Sequence, residues 1–334
     1  MTFDEIKLLR LHRQHLLSAV QPKTVVADLC GLQAQFLGHA LQSLSIRSKE
    51  VNTKGMIKSW TLRGTLHIFA EADLALFLHE GRRHFLRPVD TMDTDNFISG
   101  GRKAYFAELI MDAISGGTDD RESLKLLCQD HGMTDREEES LFDPWGGMIR
   151  ALCESGRICH KVQEKKAYRI CPAFEPMDRE TAQTELARRY FTNYGPATVK
   201  DAAYFFGTTQ KEVKSWLQKL PVTATGIGKD VFYQIGSGSA VGEIPECLFL
   251  AGFDPLLLGY EKSESLFLSQ QHLRQIFTLS GIVRPAILTE GNITGWWNYK
   301  HRKLTVNDFG GCSQSAIEET AHAVFPDLDQ IIVK

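Results

Sequence analysis

Two glutamines one residue apart, Gln33 and Gln35, stand in the run Val25-Val26-Ala27-Asp28-Leu29-Cys30-Gly31-Leu32-Gln33-Ala34-Gln35-Phe36. Each amide offers a carbonyl that can orient a water and an NH2 that can hold a phosphate or sugar oxygen. Neither is a general base of any strength, so the pair does not suggest a paired-carboxylate mechanism. On a regular helix, residues i and i+2 differ by about 200° and do not face one site. The pair converges only at a helix end or in an extended turn, an irregularity that Gly31 and Gly38 permit. By themselves these residues read as solvated polar side chains near a helix end. Further on, Trp60-Thr61-Leu62-Arg63-Gly64-Thr65-Leu66-His67-Ile68-Phe69 places Arg63 and His67 at i and i+4 of a predicted strand, on one face. An Arg with a His suits a phosphate contact. The other reading is an Arg at a helix end and a His satisfied by backbone.

Basic residues cluster locally. Arg82-Arg83-His84 with Arg87, Lys165-Lys166 with Arg169, Lys211 with Lys214, and Lys300-His301-Arg302-Lys303 each suit a phosphate grip or a solvated face. The last follows Trp296-Trp297-Asn298-Tyr299, an arrangement that serves either stacking or a β core. His12, His15 and His39 lie near the glutamines without a metal partner at recognisable spacing, and Cys159-His160 lacks a second ligand pair. No metal is assigned.

Around these residues a pattern of helix, helix and a short strand pair recurs three times. Clearest is the third: Thr198 caps a helix that Gly207 ends, and Thr209 starts a helix with the stripe Val213, Trp216, Leu217 and Leu220. Pro221 stops it, and Val222 to Ile235 reads as a hairpin. Helix-turn-helix followed by a hairpin is a winged helix. In the middle instance Asp120 caps one helix. Asp143 caps another, with Pro144 first and the stripe Trp145, Met148, Ile149, Leu152 and Cys153. A hairpin with the tip Gln163-Glu164-Lys165-Lys166 follows. In the first, Asn52 or Thr53 caps a helix bearing Met56, Ile57 and Trp60, and Thr65 to Phe69 is a strand. Beyond Val241, short alternating runs and one helix near Gln314 to Val324 indicate a mainly β unit. The fold class is therefore α+β: tandem winged-helix modules over 1–95, 96–177 and 178–240, then a small β domain over 241–334.

Composition is that of a soluble globular chain, 43% hydrophobic and 24% charged over 334 residues. The net charge of -3 gives no global attraction to nucleic acid, so any phosphate contact must come from one face. Seven scattered cysteines without a Cys-x-x-Cys read as buried thiols in a reducing compartment. Met1 to Arg13 carries charges throughout, and no apolar run approaches the roughly 20 residues of a membrane helix. These features point to a cytoplasmic protein with no membrane partner and no dimerisation helix, expected to be monomeric.

The Gln-Ala-Gln run followed by Arg63-Gly64-Thr65-Leu66-His67 resembles the AlkZ-like family of winged-helix DNA glycosylases. The resemblance extends to Tyr194-Gly195-Pro196-Ala197-Thr198, to Phe253-Asp254-Pro255-Leu256-Leu257-Leu258-Gly259-Tyr260, and to the hairpin from Arg284-Pro285 through Trp296. It covers roughly residues 1–310, and Pro255 is one departure from it. It implies a monofunctional DNA glycosylase hydrolysing the N-glycosidic bond of alkylated purines, typically N7-alkylguanine, including bulky adducts and interstrand crosslinks. N7 alkylation makes the purine cationic and already a good leaving group. The enzyme then stabilises an oxocarbenium-like sugar and places a water, which suits neutral amides. On that reading Gln33 and Gln35 are catalytic and need no cofactor. Arg63, His67, Arg82, Arg83, Lys300, Arg302 and Lys303 contact double-stranded DNA carrying alkylated bases. The competing class is a non-catalytic winged-helix DNA-binding or regulatory protein.

Overall fold

The computed structural model describes residues 1–82, 98–143, 147–236, 238, 242–311 and 313–334. His84, Arg87 and Cys312, the phosphate candidate Arg83, and the helix start at Pro144 and Trp145 lie outside the described residues. Helices and strands are interleaved in an α+β chain, which divides into two compact units: residues 1–52 with 186–334, and residues 53–185.

The first unit opens with α1 (Phe3–Arg13), α2 (Pro22–Asp28), a two-residue strand β1 (Leu32–Gln33) and α3 (Leu37–Ser45). A reciprocal cap between Thr2 and Glu5 starts α1, and Pro22 occupies the first turn of α2, where its missing N–H costs nothing.

The second unit holds β2 (Met56–Trp60), β3 (Leu66–Ala70), α4 (Leu74–Phe77), α5 (Gly100–Ser115), α6 (Arg121–Asp130), α7 (Asp135–Leu141), α8 (Gly147–Glu154), β4 (Ile158–His160) and β5 (Tyr168–Ile170). Strands β3, β2, β4 and β5 lie side by side in that order. The strand pairs read as wings of separate modules thus share one sheet. Phe106, Ile110, Leu124, Leu141, Ile149, Leu152 and Ile158 form the core beside it. Here the helix expected to carry Met56, Ile57 and Trp60 is instead strand β2. All five of its residues are buried, so no polar alternation marks it, and Gly55 enters it at a left-handed φ of 74°.

Helix α9 (Arg179–Asn193) begins in the second unit and ends in the first. Then follow α10 (Val199–Phe206), α11 (Gln210–Leu217) and the hairpin of β6 (Val222–Ile227) and β7 (Asp230–Ile235). Thr198 and Asp201 form a capping box, Gly207 ends α10 in the left-handed region, and Thr209 caps α11. Val213, Trp216 and Leu217 are buried, as the stripe requires.

The remaining elements are β8 (Cys247–Leu250), α12 (Pro255–Leu258), α13 (Leu273–Ile276), β9 (Ala286–Thr289), β10 (Asn292–Lys300), β11 (Lys303–Asp308), α14 (Gln314–Val324) and β12 (Gln330–Val333). Their sheet runs β12-β11-β10-β9-β8, antiparallel except where β12 pairs parallel with β11. Phe249, Ile287, Trp297, Leu304 and Val306 pack with Ile317 and Ala321 of α14. Trp297 is core, its indole N–H donating to the Leu250 carbonyl at 3.0 Å. The six cysteines among the described residues are free and buried. No helix among those residues is long and apolar enough to cross a membrane.

Candidate active site

Helix α2 stops where Cys30 and Gly31 turn into the left-handed region, with φ of 55° and 83°. The chain then forms β1 and bends at Gln35 and Phe36 before α3. Along an extended chain successive side chains alternate, so i and i+2 share a face. Leu32 and Ala34 are each 1% exposed and point inward. Gln33 and Gln35 therefore point outward together, and Gln33 Nε2 donates to Gln35 Oε1 at 3.0 Å. The constraint that excluded a helical Gln-x-Gln site is met by two buried apolar residues interleaved with the amides. The pair is uncharged, holds one internal hydrogen bond, and leaves Gln35 exposed.

Two buried networks fix this segment at its ends. Upstream, the Tyr194 hydroxyl donates to the Leu29 carbonyl at 2.9 Å. Tyr260 donates its own hydroxyl proton to the Tyr194 carbonyl and accepts from Gln14, both at 2.9 Å. The Arg10 guanidinium lies 3.7 Å from the centre of the Tyr260 ring, and its Nε donates to the Pro196 carbonyl at 2.9 Å. Gly259 is required there, because a Cβ would come within 2.4 Å of the Tyr194 ring. Downstream, Arg47 at the end of α3 pairs with Asp254 at 2.7 Å, both side chains 0% exposed. Asp254 also accepts from Ser43 and from the Leu256 N–H, each at 2.9 Å. The Tyr-Gly-Pro and Phe-Asp segments are thus anchors for the loop that presents the glutamines. The sequence marked them as motifs, with Thr198 as a helix cap, but did not disclose this anchoring role.

The supporting residues fall elsewhere. Arg63 is not on a strand. It occupies the 3-10 turn Leu62–Gly64 with φ 55°, and β3 begins only at Leu66, so Arg63 and His67 do not share a strand face. His67 is buried in β3, its Nδ1 3.1 Å from the Thr65 carbonyl. Burial, with the charge of Arg63, brings its pKa down to about 3 and keeps the ring neutral. Arg82 is also largely enclosed, with NH2 3.7 Å from Glu154 and 3.4 Å from the Trp60 carbonyl. Arg150 shares that carboxylate at 3.2 Å. A buried acid 72 residues away in sequence had no local signal.

Lys300, Arg302 and Lys303 do form an exposed tip. His301 and Arg302 take left-handed φ values of 50° and 60°, the geometry of a two-residue hairpin turn joining β10 to β11. Arg302 is held by Asp329 at 2.9 Å and by the Asp327 carbonyl at 2.8 Å, so its charge is already engaged. Sequence reasoning missed Phe36, which follows Gln35 in the chain, and the His39 and Phe253 rings that pack with it. An exposed Phe between a polar triplet and a helix was the one signal available.

An uncharged amide pair on a pinned loop suits water placement at a bond that is already weakened, the task of a hydrolase acting on a good leaving group. The comparisons agree in class. The chain belongs to the AlkZ-like DNA glycosylase family, whose family model matches residues 26–325. It is similar to the interstrand DNA cross-link repair glycosylase of Streptomyces sahachiroi, 25% identical over 332 residues, covering 90% of this chain and 88% of that protein. The solved structure of the Streptomyces sahachiroi DNA glycosylase AlkZ matches with a TM-score of 0.78 at 19% identity, over 100% of this chain and 99% of that one.

Proposed function

We propose that this glycosylase hydrolyses the N-glycosidic bond of alkylated purines in duplex DNA, with N7-alkylguanine and N7-linked interstrand crosslinks as the substrate class. The observation that carries this reading is the Gln33–Gln35 amide pair, hydrogen-bonded at 3.0 Å and outward-facing. A cationic N7-alkylpurine leaves without strong acid help. What the site must then supply is a positioned water and dipoles toward an oxocarbenium-like sugar. Two amides do this without a titrating group, and no lysine stands in the motif to form a Schiff base, so the reaction is monofunctional. Helices α10 and α11 with the β6/β7 hairpin support a winged-helix reading of that module, and with it duplex DNA as the partner.

The test is formation of abasic sites in a duplex carrying one N7-methylguanine, read on a gel under single turnover. The wild-type chain should excise. Gln33→Ala and Gln35→Ala should each lose at least about a hundredfold in rate, the scale of removing one preorganised transition-state dipole, while still binding the duplex. Wild-type rates in both variants would overturn the assignment. Binding without excision by the wild-type chain would favour a non-catalytic DNA-binding protein.

A further inference from the structure

We propose that Phe36 is a stacking platform for a nucleobase at the lesion, a specificity-determining contact bordering the amide pair. This rests on the glycosylase reading above. Phe36 follows Gln35 directly and caps α3 without a side-chain hydrogen bond of its own. It is 50% exposed, more than any other phenylalanine among the described residues. One face is covered: the ring stacks on Phe253, with centroids 5.6 Å apart and planes at 21°. His39 meets it edge-on at 6.1 Å and tilts against Phe253 at 6.2 Å. The three rings form a ledge whose outer surface is the open side of Phe36.

The ledge is built at local cost. Phe253 is a bulky residue at φ 56°, a left-handed conformation that such side chains rarely adopt. Gly252 leaves the space that the His39 ring fills, since a Cβ there would lie 2.8 Å from His39 Nε2. Backbone strain of this kind persists where the surrounding structure over-determines it, commonly beside sites that act. Burial also lowers the pKa of His39, which favours the uncharged ring. The ledge is therefore apolar, flat and uncharged, and it does not complement a phosphate. The occupant that matches a flat π-face one residue from the catalytic amides is a base. Stacking is tolerant of sequence because every base has a π-face.

The experiment is single-turnover excision of N7-methylguanine from duplex DNA by the full chain, titrated in enzyme. It compares wild type with Phe36→Ala, Phe36→Leu and Phe36→Trp. Stacking on one aromatic predicts that Phe36→Ala lowers the second-order excision rate at least about tenfold. Phe36→Leu keeps apolar area without a π-face and should fall nearly as far. Phe36→Trp should stay within about threefold of wild type. Thermal melts check folding, and if the Ala variant does not fold, the Leu and Trp variants carry the comparison. Equal rates in the Ala and wild-type proteins, or in the Leu and wild-type proteins, would overturn the platform. Excision failing in the wild-type chain would instead be the failure of the underlying glycosylase reading. In that case quenching of 2-aminopurine in bound duplex, retained by Phe36→Trp and lost by Phe36→Leu, decides the platform independently.

Discussion

Removing the carboxylate of Asp254 should be among the most damaging single changes in the first unit. Asp254 and Arg47 are both 0% exposed, and two contacts join them, at 2.9 and 2.7 Å. Asp254→Ala leaves a guanidinium buried with only the Gln14 and Ser43 carbonyls, each at 3.0 Å, as acceptors. It also strips the Ser43 hydroxyl and the Leu256 N–H of their partner. Breaking a buried pair from one side costs about 3–5 kcal/mol, and each orphaned polar group adds roughly 1 kcal/mol. The expected loss is therefore about 5–7 kcal/mol, comparable with the whole stability of a marginal domain. For a body of this size that is a fall of roughly 10–30 °C in Tm. Arg47→Met should cost a similar amount by leaving the carboxylate behind. The double variant removes both charges and leaves four neutral orphans, so it should lose only about 3–4 kcal/mol in total. Urea unfolding of the four proteins at low temperature completes the cycle. Additivity within about 0.5 kcal/mol, or an Asp254→Ala loss below about 2 kcal/mol, would refute the claim that this pair anchors α3.

Acid should weaken the second unit through its buried histidines. The pKa of His67 is brought down to about 3 by burial and Arg63, that of His160 to about 3 by burial and Lys58. Unfolded histidines protonate near pH 6.5, so unfolding takes up protons across the window from about 6.5 to 3. Stability should fall by about 1.4 kcal/mol per pH unit for each ring on acidification and be flat for these groups above pH 7. Urea midpoints between pH 7.5 and 5 measure this, and His160→Phe should remove about a third of the histidine contribution, because buried His79 is also lowered, to about 4. A midpoint independent of pH would contradict the neutral assignment. Replacing Lys300, Arg302 and Lys303 together with Ala should lower affinity for damaged and undamaged duplex alike. The log–log salt slope should become shallower by about two, because Arg302 is already engaged by Asp329. Fluorescence anisotropy between 50 and 200 mM salt, on the order of the usual range for such titrations, reads the slope. No change would remove this tip from the DNA path.

Legibility in the sequence followed the locality of the cause. The pair α10 and α11 could be read because Thr198, Gly207 and Thr209 signal within a few residues, and the apolar stripe lies on one helix. Strand β2 could not. Met56, Ile57 and Trp60 fit a helical spacing, and burial on both faces erased the alternation that marks a strand. The glutamines were identifiable as a pair, but their convergence depended on Leu32 and Ala34 turning inward, a matter of tertiary burial. Arg82 looked like a phosphate grip because its partner, Glu154, is distant in the chain. The aromatic ledge joins Phe36 to Phe253 across 217 positions, a separation that no periodicity spans.

The buried thiols carry a consequence for survival in the cell. A compound that alkylates purine N7 also attacks sulfur, and the reactive form of cysteine is the thiolate. Burial lifts the Cys128 thiol to about 12, and Cys153 and Cys247 move the same way, so their thiolate fraction near neutral pH is minute. Cys159 is drawn the other way, by its hydrogen bond with Cys171 and by Arg169, yet only 1% of it is exposed. Chemistry shields most of these sulfurs and access shields the exception. On the proposed function the enzyme meets electrophiles and their lesions together. At the six described cysteines it would then resist doses that modify open thiols.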